Sequence, residues 1–295
     1  MDAEIRALIE LMPRLRGKEI KARVLDGGLT NRNYHIECEG DEYVLRVMGK
    51  NSTLLGIERK FEHTCAQAAH VAGVGPEVVE FLPDPGAMLS RFVAGRALVP
   101  TDLHQPAIMQ RVVKSLHQYH ECASGAGNFS AFETVRRYYA RALERQVSIP
   151  QNIVQAFEIS ARIEKEVGLP ESVCPCHNDL LSGNLIDDGR SIWILDWEYA
   201  RAGDAFFDLG NLAANNLFTP EHETMLLQIY FGRARPADLR RLRLMRLASD
   251  LREAMWGFLQ MGISTLDFDY RSYAHHHLER FQKGADREVG EQGLS

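Results

Sequence analysis

The segment that decides the fold of this chain is CHNDLLSGN at residues 176–184, followed by ILDWE at residues 194–198. Asn184 comes five residues after Asp179, and Asp196 ends a short apolar run. If the hairpin between the two segments folds back, these three side chains converge on one point. Asp179 can then accept a proton from a hydroxyl, while Asn184 and Asp196 offer the hard oxygens that Mg²⁺ prefers.

Kinases combine a catalytic-loop aspartate and asparagine with a second, metal-binding aspartate in this way. The pattern therefore favours phosphoryl transfer. A purely structural explanation stays open for the first string taken alone, in which Asp179 caps a turn and Asn184 bonds to its own backbone.

Two upstream features bear on anion binding. The glycine-rich residues 26–33 stand between two predicted strands, where backbone N–H groups can approach an anion. In VLRV at residues 44–47, strand alternation separates Arg46 from its apolar neighbours, and a cation in such a strand needs a partner or a phosphate. Glu58 or Glu62 on the following helix can orient it. A plain hairpin turn and two solvated glutamates are the alternatives.

The N-terminal part has the pattern of a small antiparallel sheet. Alternation predicts a hairpin over residues 34–47 with its turn at residues 39–41. Helical spacing follows over residues 55–72, and two more strands are predicted over residues 76–82 and 87–93.

After residue 96 the pattern becomes mainly helical. The predicted helices cover residues 105–122, 132–146, 152–167, 236–261 and 268–283, and a strand-like island lies at 184–195. The sequence therefore predicts an α+β fold with an N-terminal lobe at residues 1–93 and a helical lobe at residues 94–295. The cleft between two lobes is the usual place for a ligand.

Composition excludes several classes of protein. The chain has 295 residues, 45% of them hydrophobic and 25% charged, with a net charge of −6. These are ordinary globular values, which argue against a disordered chain or a disulfide-stapled miniprotein. The acidic balance argues against nucleic acid or an anionic membrane as the principal partner. No uncharged stretch approaches the ~20 residues that span a bilayer.

The cysteines and the N-terminus indicate a cytoplasmic protein. Five scattered cysteines fit reduced thiols, and the acids among the first residues do not match a signal peptide. The pair Cys174 and Cys176 lacks a second cysteine or histidine pair at zinc-site spacing. The histidines at residues 275–277 are expected on a solvated helix face.

Taken together, the motifs resemble the aminoglycoside phosphotransferase and choline kinase superfamily, and within it the bacterial choline/ethanolamine kinase group. The resemblance runs from GGLTNRNY at residues 27–34 to about residue 281, and FDLGN at residues 207–211 adds to the two strings quoted above. It implies a protein-kinase-like two-lobe fold and ATP- and Mg²⁺-dependent phosphorylation of a small-molecule hydroxyl.

By matching position, the resemblance makes Asp179 the catalytic base and Asn184 and Asp196 the metal ligands. Arg46 stands in place of the usual kinase lysine, with Glu62 as its partner. The other nucleotide-binding candidates are Gly28, Thr30, Asn31, Asn33, Arg91 and Val93, the last two at the interlobe hinge beside adenine. Asp208 is expected to brace the catalytic loop.

The acceptor site departs from the family pattern. Choline kinases hold a quaternary ammonium with aromatic faces and an acid, a pairing that cation–π attraction favours. The candidates here are Glu198, Tyr199, Asn215, Glu253, Trp256, Tyr270 and Tyr273. Asn215 stands where the family has a glutamate, and Glu253 where it has a tryptophan. Our hypothesis is that Glu253 supplies the charge that Asn215 lacks; simple packing of the aromatic residues is the alternative.

The sequence therefore predicts a kinase that phosphorylates an amino alcohol, choline first and ethanolamine second. Thiamine, homoserine or an aminoglycoside are alternative acceptors. A nucleotide-binding regulatory protein without turnover and a helical interaction domain are the alternatives from other classes. The residues leave open the oligomeric state and the choice between ATP and GTP.

Overall fold

The computed structural model describes residues 3–25, 31–49, 52–122 and 127–290. Within them, the N-terminal part forms an antiparallel five-stranded sheet in the order β1-β2-β3-β5-β4. Its strands are β1 (Ile20–Leu25), β2 (Arg32–Cys38), β3 (Asp41–Val47), β4 (Val78–Leu82) and β5 (Ala87–Arg91). Helix α1 (Ala3–Leu11) precedes the sheet, and helix α2 (Arg59–Val71) lies between β3 and β4.

The predicted hairpin is formed by β2 and β3. Ile36 pairs with Tyr43 and Tyr34 with Leu45, so these buried side chains share one face of the sheet. Helix α1, which the sequence pattern did not predict, packs on that face and completes a hydrophobic core. Arg46 therefore lies on the opposite face, toward α2.

The remainder is mainly helical. Its helices are α3 (Pro106–His120), α4 (Ala131–Glu144), α5 (Ile153–Val167), α6 (Ala205–Asn215), α7 (Pro220–Phe231), α8 (Pro236–Ile263) and α9 (Tyr270–Glu288). Helix α8 is central, since α4, α6 and α9 all pack against it. The approach of α6 is close at Gly210, where an added Cβ would come within 2.8 Å of the Met245 backbone.

Short strands carry the segments that the sequence singled out. They are β6 (Arg96–Ala97), β7 (Cys174–Cys176), β8 (Leu185–Asp187), β9 (Ile192–Ile194) and β10 (Arg201–Gly203). Strands β8 and β9 form the predicted hairpin, with β6 beside β8. The five predicted helices of this part are present with ends shifted by five residues or fewer, and the α+β class is confirmed.

One predicted surface is partly wrong. His275 and His276 are exposed, but His277 is buried, and its Nδ1 lies 3.1 Å from Asp250 Oδ1. The reason is that the inner face of α9 packs along α8.

None of the helices in the described part of the chain combines the length and the apolar character needed to cross a membrane.

Candidate active site

The loop that carries the candidate base is held from beneath by α6. Asp208 accepts backbone hydrogen bonds from His177 at 2.7 Å and Asn178 at 2.6 Å. Asn211 Oδ1 accepts one from the Leu180 backbone at 2.6 Å. Both α6 side chains are fully buried. These bonds fix the backbone on either side of the base, and the bracing role predicted for Asp208 is confirmed.

A second brace comes from α3. His120 Nε2 lies 2.9 Å from Asp208, and His120 Nδ1 lies 2.6 Å from Tyr230 Oη. The thiols of Cys174 and Cys176 are 3.7 Å apart, and one donor atom of each of these cysteines and of His120 lies within 4.8 Å of the others. The spacing of residues in the sequence did not predict that a histidine lies beside Cys174 and Cys176. Both ring nitrogens of His120 already have partners, Tyr230 and Asp208. His120 therefore helps to hold Asp208 in place beneath the loop.

Asp179 faces a buried arginine that the sequence did not single out. Asp179 Oδ1 accepts a hydrogen bond from Arg252 Nη2 at 3.0 Å, and Arg252 is only 2% exposed. Burial raises the pKa of Asp179 to about 7; Arg252 opposes the rise, and Glu253 and Asp196 add to it. A carboxyl group with a pKa near neutrality suits the acceptance of a proton.

The two candidate metal ligands present oxygens beside the base. Asn184 Nδ2 donates to the Asp179 backbone carbonyl at 3.1 Å, which leaves the amide oxygen for another partner. Asp196 adopts a left-handed backbone with φ 67°, a conformation that non-glycine residues hold at a cost and often at functional sites. Its side chain is 32% exposed. One neutral and one anionic oxygen fit the donor set that Mg²⁺ prefers.

Beside Asp196 lies a group of two arginines and three acids, here called the arginine cluster: Arg46, Arg59, Glu62, Asp196 and Glu198. The expected contact between Arg46 and Glu62 is present at 3.3 Å, and Arg46 also contacts Asp196 and, at 3.6 Å, Glu198. Burial lowers the pKa of Arg46, but Asp196, Glu62 and Glu198 outweigh burial and raise it. Arg46 therefore stays charged.

Part of Arg46 remains available to an anion. Its Nε atom is buried and has no hydrogen-bond partner among the residues that the structure describes. Buried donors are normally satisfied, and guanidinium groups bind phosphate with strong charge-assisted bonds. The orphaned donor therefore fits the nucleotide phosphate that the resemblance implies.

Asn31 is used inside the protein. It is buried, its Nδ2 donates to Glu198 Oε2 at 2.8 Å, and its Oδ1 accepts from the Gly49 backbone at 3.1 Å. Arg59, which the sequence analysis missed, reaches the same glutamate at 3.3 Å and Glu62 Oε2 at 2.6 Å. Asn31 therefore helps to hold the arginine cluster together, and its role in nucleotide binding stays a prediction.

Glu198 is not where the sequence analysis placed it. It was expected among the acceptor residues, but it lies in the arginine cluster and is 2% exposed. The 3₁₀ turn Trp197–Tyr199 follows the left-handed Asp196 and directs the glutamate inward, toward Arg46. Burial raises the pKa of Glu198 to about 7; Asp196 adds to the rise and Arg46 opposes it.

On the other side of the base is a group here called the acceptor cluster: Tyr199, Arg252, Glu253, Trp256 and Tyr273. Glu253 accepts hydrogen bonds from Arg252 Nη2 and, at 2.7 Å, from Tyr273 Oη. Trp256 Nε1 donates to Tyr199 Oη at 2.9 Å, and its ring lies 5.5 Å from that of Tyr273.

Electrostatics suit this cluster to a cation. Burial raises the pKa of Glu253, but Arg252, His277 and Tyr273 together outweigh it and lower the pKa. Glu253 is therefore ionised. A carboxylate among aromatic rings is the kind of site that binds an organic ammonium. Tyr270 extends the ring system, with its centroid 5.7 Å from that of Trp256.

Asn215 does not join the acceptor cluster. Its Nδ2 donates to the Leu180 backbone carbonyl at 3.5 Å, so its contact is with the catalytic loop. Asn215 is half-buried at the last residue of α6, which packs beneath the loop, and its role toward the acceptor stays a prediction.

The remaining nucleotide candidates are scattered. Gly28 and Thr30 lie outside the described residues. Asn33 is half-buried on β2, opposite Arg46 in the sheet register. Arg91 ends β5 with its guanidinium 4.9 Å from the centroid of Tyr43.

The hinge borders an open space. Arg91 contacts Asp41 at 2.9 Å, and its role in nucleotide binding stays a prediction. Val93 lines a cavity of about 360 Å³ together with Pro76, Phe92 and Trp193. Arg91 lines the same cavity, so the structure places both Val93 and Arg91 on an open surface at the hinge.

The molecule joins a small sheet to a helical part, and Asp179, Asn184 and Asp196 lie between the two. This combination is that of a phosphotransferase. The chain belongs to the phosphotransferase enzyme family (APH), whose model matches residues 21–245. The predicted family is confirmed.

Two individual relatives are similar to most of this chain. Protein LicA of Haemophilus influenzae is 27% identical over 212 residues, which cover 69% of this chain but only 61% of that protein's length. Ethanolamine kinase 2 of Mus musculus is 26% identical over 302 residues, covering 92% of this chain and 77% of the relative.

A solved structure extends the likeness to the whole chain. A choline/ethanolamine kinase family protein from Mesorhizobium loti superposes with a TM-score of 0.84 at 28% identity, covering 99% of this chain and 97% of that one. The predicted protein-kinase-like fold and the class of small-molecule kinase are confirmed.

Proposed function

We propose that this chain transfers the γ-phosphoryl group of ATP, with Mg²⁺, to the hydroxyl of a small amino alcohol, choline or ethanolamine. The observation that carries the proposal is the position of Asp179. Its carboxylate bonds to Arg252 of the acceptor cluster at 3.0 Å, and the charges of both Glu253 and Asp196 act on it. The base thus stands between a site for phosphates and a site for an organic cation.

The chemistry assigned to the residues is a single displacement. Asp179 accepts the proton of the acceptor hydroxyl while the hydroxyl oxygen bonds to the γ-phosphorus. The bond from that phosphorus to the β–γ bridging oxygen breaks, and ADP leaves. Arg46 offers its orphaned donor to the phosphates.

Asn184 and Asp196 would hold the magnesium ion. When bound, Mg²⁺ neutralises phosphate charge during transfer. In this proposal residues 1–93 bind the nucleotide, and residues 94–295 carry the base, the metal ligands and the acceptor cluster.

The acceptor class follows from the charges and walls of the acceptor cluster. It has one arginine, one glutamate and three aromatic residues, which suits a single ammonium group. An aminoglycoside carries several amines and calls for several acids. The relatives named choline and ethanolamine kinases support the amino alcohol, and thiamine or homoserine would be alternative outcomes of the test.

The test is product identification. The purified chain is incubated with ATP, Mg²⁺ and a pool of choline, ethanolamine, thiamine, homoserine and an aminoglycoside, and phosphorylated products are identified by mass spectrometry. We expect phosphocholine or phosphoethanolamine to dominate, and its formation to stop when EDTA removes the metal. Phosphorylation of another acceptor alone, or of none, contradicts the proposal.

A matched pair of variants ties the product to the site. Asp179→Asn removes the base, whereas Asp286→Asn makes the same change at an exposed position of α9. Product should be lost in the first variant and unchanged in the second.

A further inference from the structure

Arg252 is the least anticipated feature of the acceptor cluster. It lies within α8, is 2% exposed, and donates through one nitrogen, Nη2, to both Asp179 Oδ1 and Glu253 Oε1. Its guanidinium carbon is 5.3 Å from the ring centroid of Tyr199 and 6.0 Å from that of Phe207. Planar packing against rings and a fork of donors are properties of arginine that lysine does not share.

The shared nitrogen limits the distance between the two acids. Two hydrogen bonds of ~3 Å to one donor atom keep their acceptor oxygens within about 6 Å of each other. Asp179 is positioned for a hydroxyl, and Glu253 for a cationic group. An acceptor that meets both acids therefore carries its hydroxyl and its charge a short spacer apart.

Arg252 also sets the net charge of the site. Two carboxylates this close repel each other, and a buried charge without a partner is strongly destabilising. One arginine against two carboxylates leaves a single net negative charge. Each oxygen of Glu253 accepts one bond, from Arg252 or from Tyr273, which holds the carboxylate in place and leaves further acceptor sites for a cationic group.

We infer that Arg252 is a positioning residue that sets both the geometry and the charge of the acceptor site. It holds Asp179 and Glu253 close together, and its single positive charge balances only one of the two carboxylates. The site therefore selects an alcohol with one cationic group over an alcohol with two. The inference rests on the proposed function and adds a charge limit to the substrate class.

The experiment compares ethanolamine with 1,3-diaminopropan-2-ol, which carries a second ammonium. Arg252→Gln makes the site more negative by one charge, Glu253→Gln makes it less negative by one, and Arg252→Gln/Glu253→Gln restores the net charge. The measured quantity is the ratio of kcat/KM for the diamine to kcat/KM for ethanolamine, at pH 7.5.

We expect this ratio to rise about tenfold in Arg252→Gln and to fall by a similar factor in Glu253→Gln, because one unit charge near a cation is a large interaction in a partly buried site. The double variant should return close to the wild-type ratio, and Arg252→Lys should stay near it while losing kcat. An equal loss toward both amines in Arg252→Gln, with the ratio unchanged, would overturn the inference.

Controls separate this outcome from a folding defect and from failure of the proposed function. Arg240→Leu removes an ion-paired arginine from the same helix, remote from the acceptor cluster, and should leave the ratio unchanged. If wild type turns over neither choline nor ethanolamine, the proposed function fails. Calorimetric binding of ethanolamine and the diamine to wild type, Arg252→Gln, Glu253→Gln and the double variant then decides the inference. A binding ratio that follows the charge supports it, and absence of binding or a constant ratio overturns it.

Discussion

The arginine cluster and the acceptor cluster have a similar balance of charges, but different residues line them. Two arginines face three acids in the first, and Arg252 of the second faces two acids, Glu253 of the same cluster and the base Asp179. Each cluster, the second taken with Asp179, is therefore short of one positive charge. The first is open at Asp196, whose oxygens suit a metal ion, while the second is walled by aromatic rings that suit an organic cation. The comparison teaches that the residues lining a cluster, more than its net charge, decide whether it suits a metal ion or an organic cation.

The largest effect is expected where the two clusters meet. Asp179→Asn removes the proton acceptor but keeps the side-chain shape, so kcat should fall by about 10³-fold, within the range for loss of a general base. Nucleotide affinity should stay within a few-fold of wild type, because the arginine cluster is intact. Single-turnover kinetics and equilibrium nucleotide binding check the two halves of this prediction. Loss of nucleotide binding would mean that the clusters are not separable.

The next effect should be confined to the arginine cluster. Arg46→Lys keeps the charge but loses the fork that reaches Glu62, Asp196 and Glu198. We expect kcat/KM for ATP to fall roughly 30-fold, or about 2 kcal/mol, the size of a lost bond to a charged group. KM for the amino alcohol should not change. Steady-state kinetics with each substrate varied in turn give the answer, and a change in both KM values would contradict it.

A smaller effect should be confined to the acceptor cluster. Glu253→Gln removes the ionised acid, so KM for the amino alcohol should rise about tenfold, or about 1.4 kcal/mol, while KM for ATP stays constant. Glu279→Gln, an exposed glutamate on α9, is the matched control. An unchanged KM for the preferred amine in Glu253→Gln would remove this acid from substrate binding.

The smallest effect tests how Glu253 is oriented. Tyr273→Phe keeps the ring and removes the 2.7 Å hydrogen bond to Glu253, so KM for the amino alcohol should rise about threefold, or about 0.7 kcal/mol, as for one ordinary hydrogen bond. The thermal midpoint should change little. A rise as large as that of Glu253→Gln would show that the hydroxyl itself contacts the substrate.

The success of sequence analysis differed between the two clusters. Strand alternation placed Arg46 on one face of β3, and the helical spacing of α2 brought Glu62 toward it; both patterns are local. The residues that complete the arginine cluster are less visible. Arg59 looks like an ordinary first-turn cation. Glu198 was expected among the acceptor residues because the sequence does not show the left-handed conformation of Asp196, after which the glutamate contacts Arg46.

The acceptor cluster was harder to predict because several helices cover α8, chiefly α4, α6 and α9. A helix that packs on α4, α6 and α9 buries charged residues as well as apolar ones over the same turns. Arg252 therefore carries no amphipathic signal that separates it from the surface arginines of the same helix. Only its position under Asp179 gives it a role.

By itself, the sequence determined the family and the α+β class, and it predicted Asp179, Asn184 and Asp196 as the residues of the site, since these depend on residue types at short, regular spacings. The tertiary structure alone decided which acids the buried arginines serve. Burial and the pairing of charges are properties of packed helices and strands that are distant in the chain. No local pattern records which of several arginines is enclosed with two carboxylates.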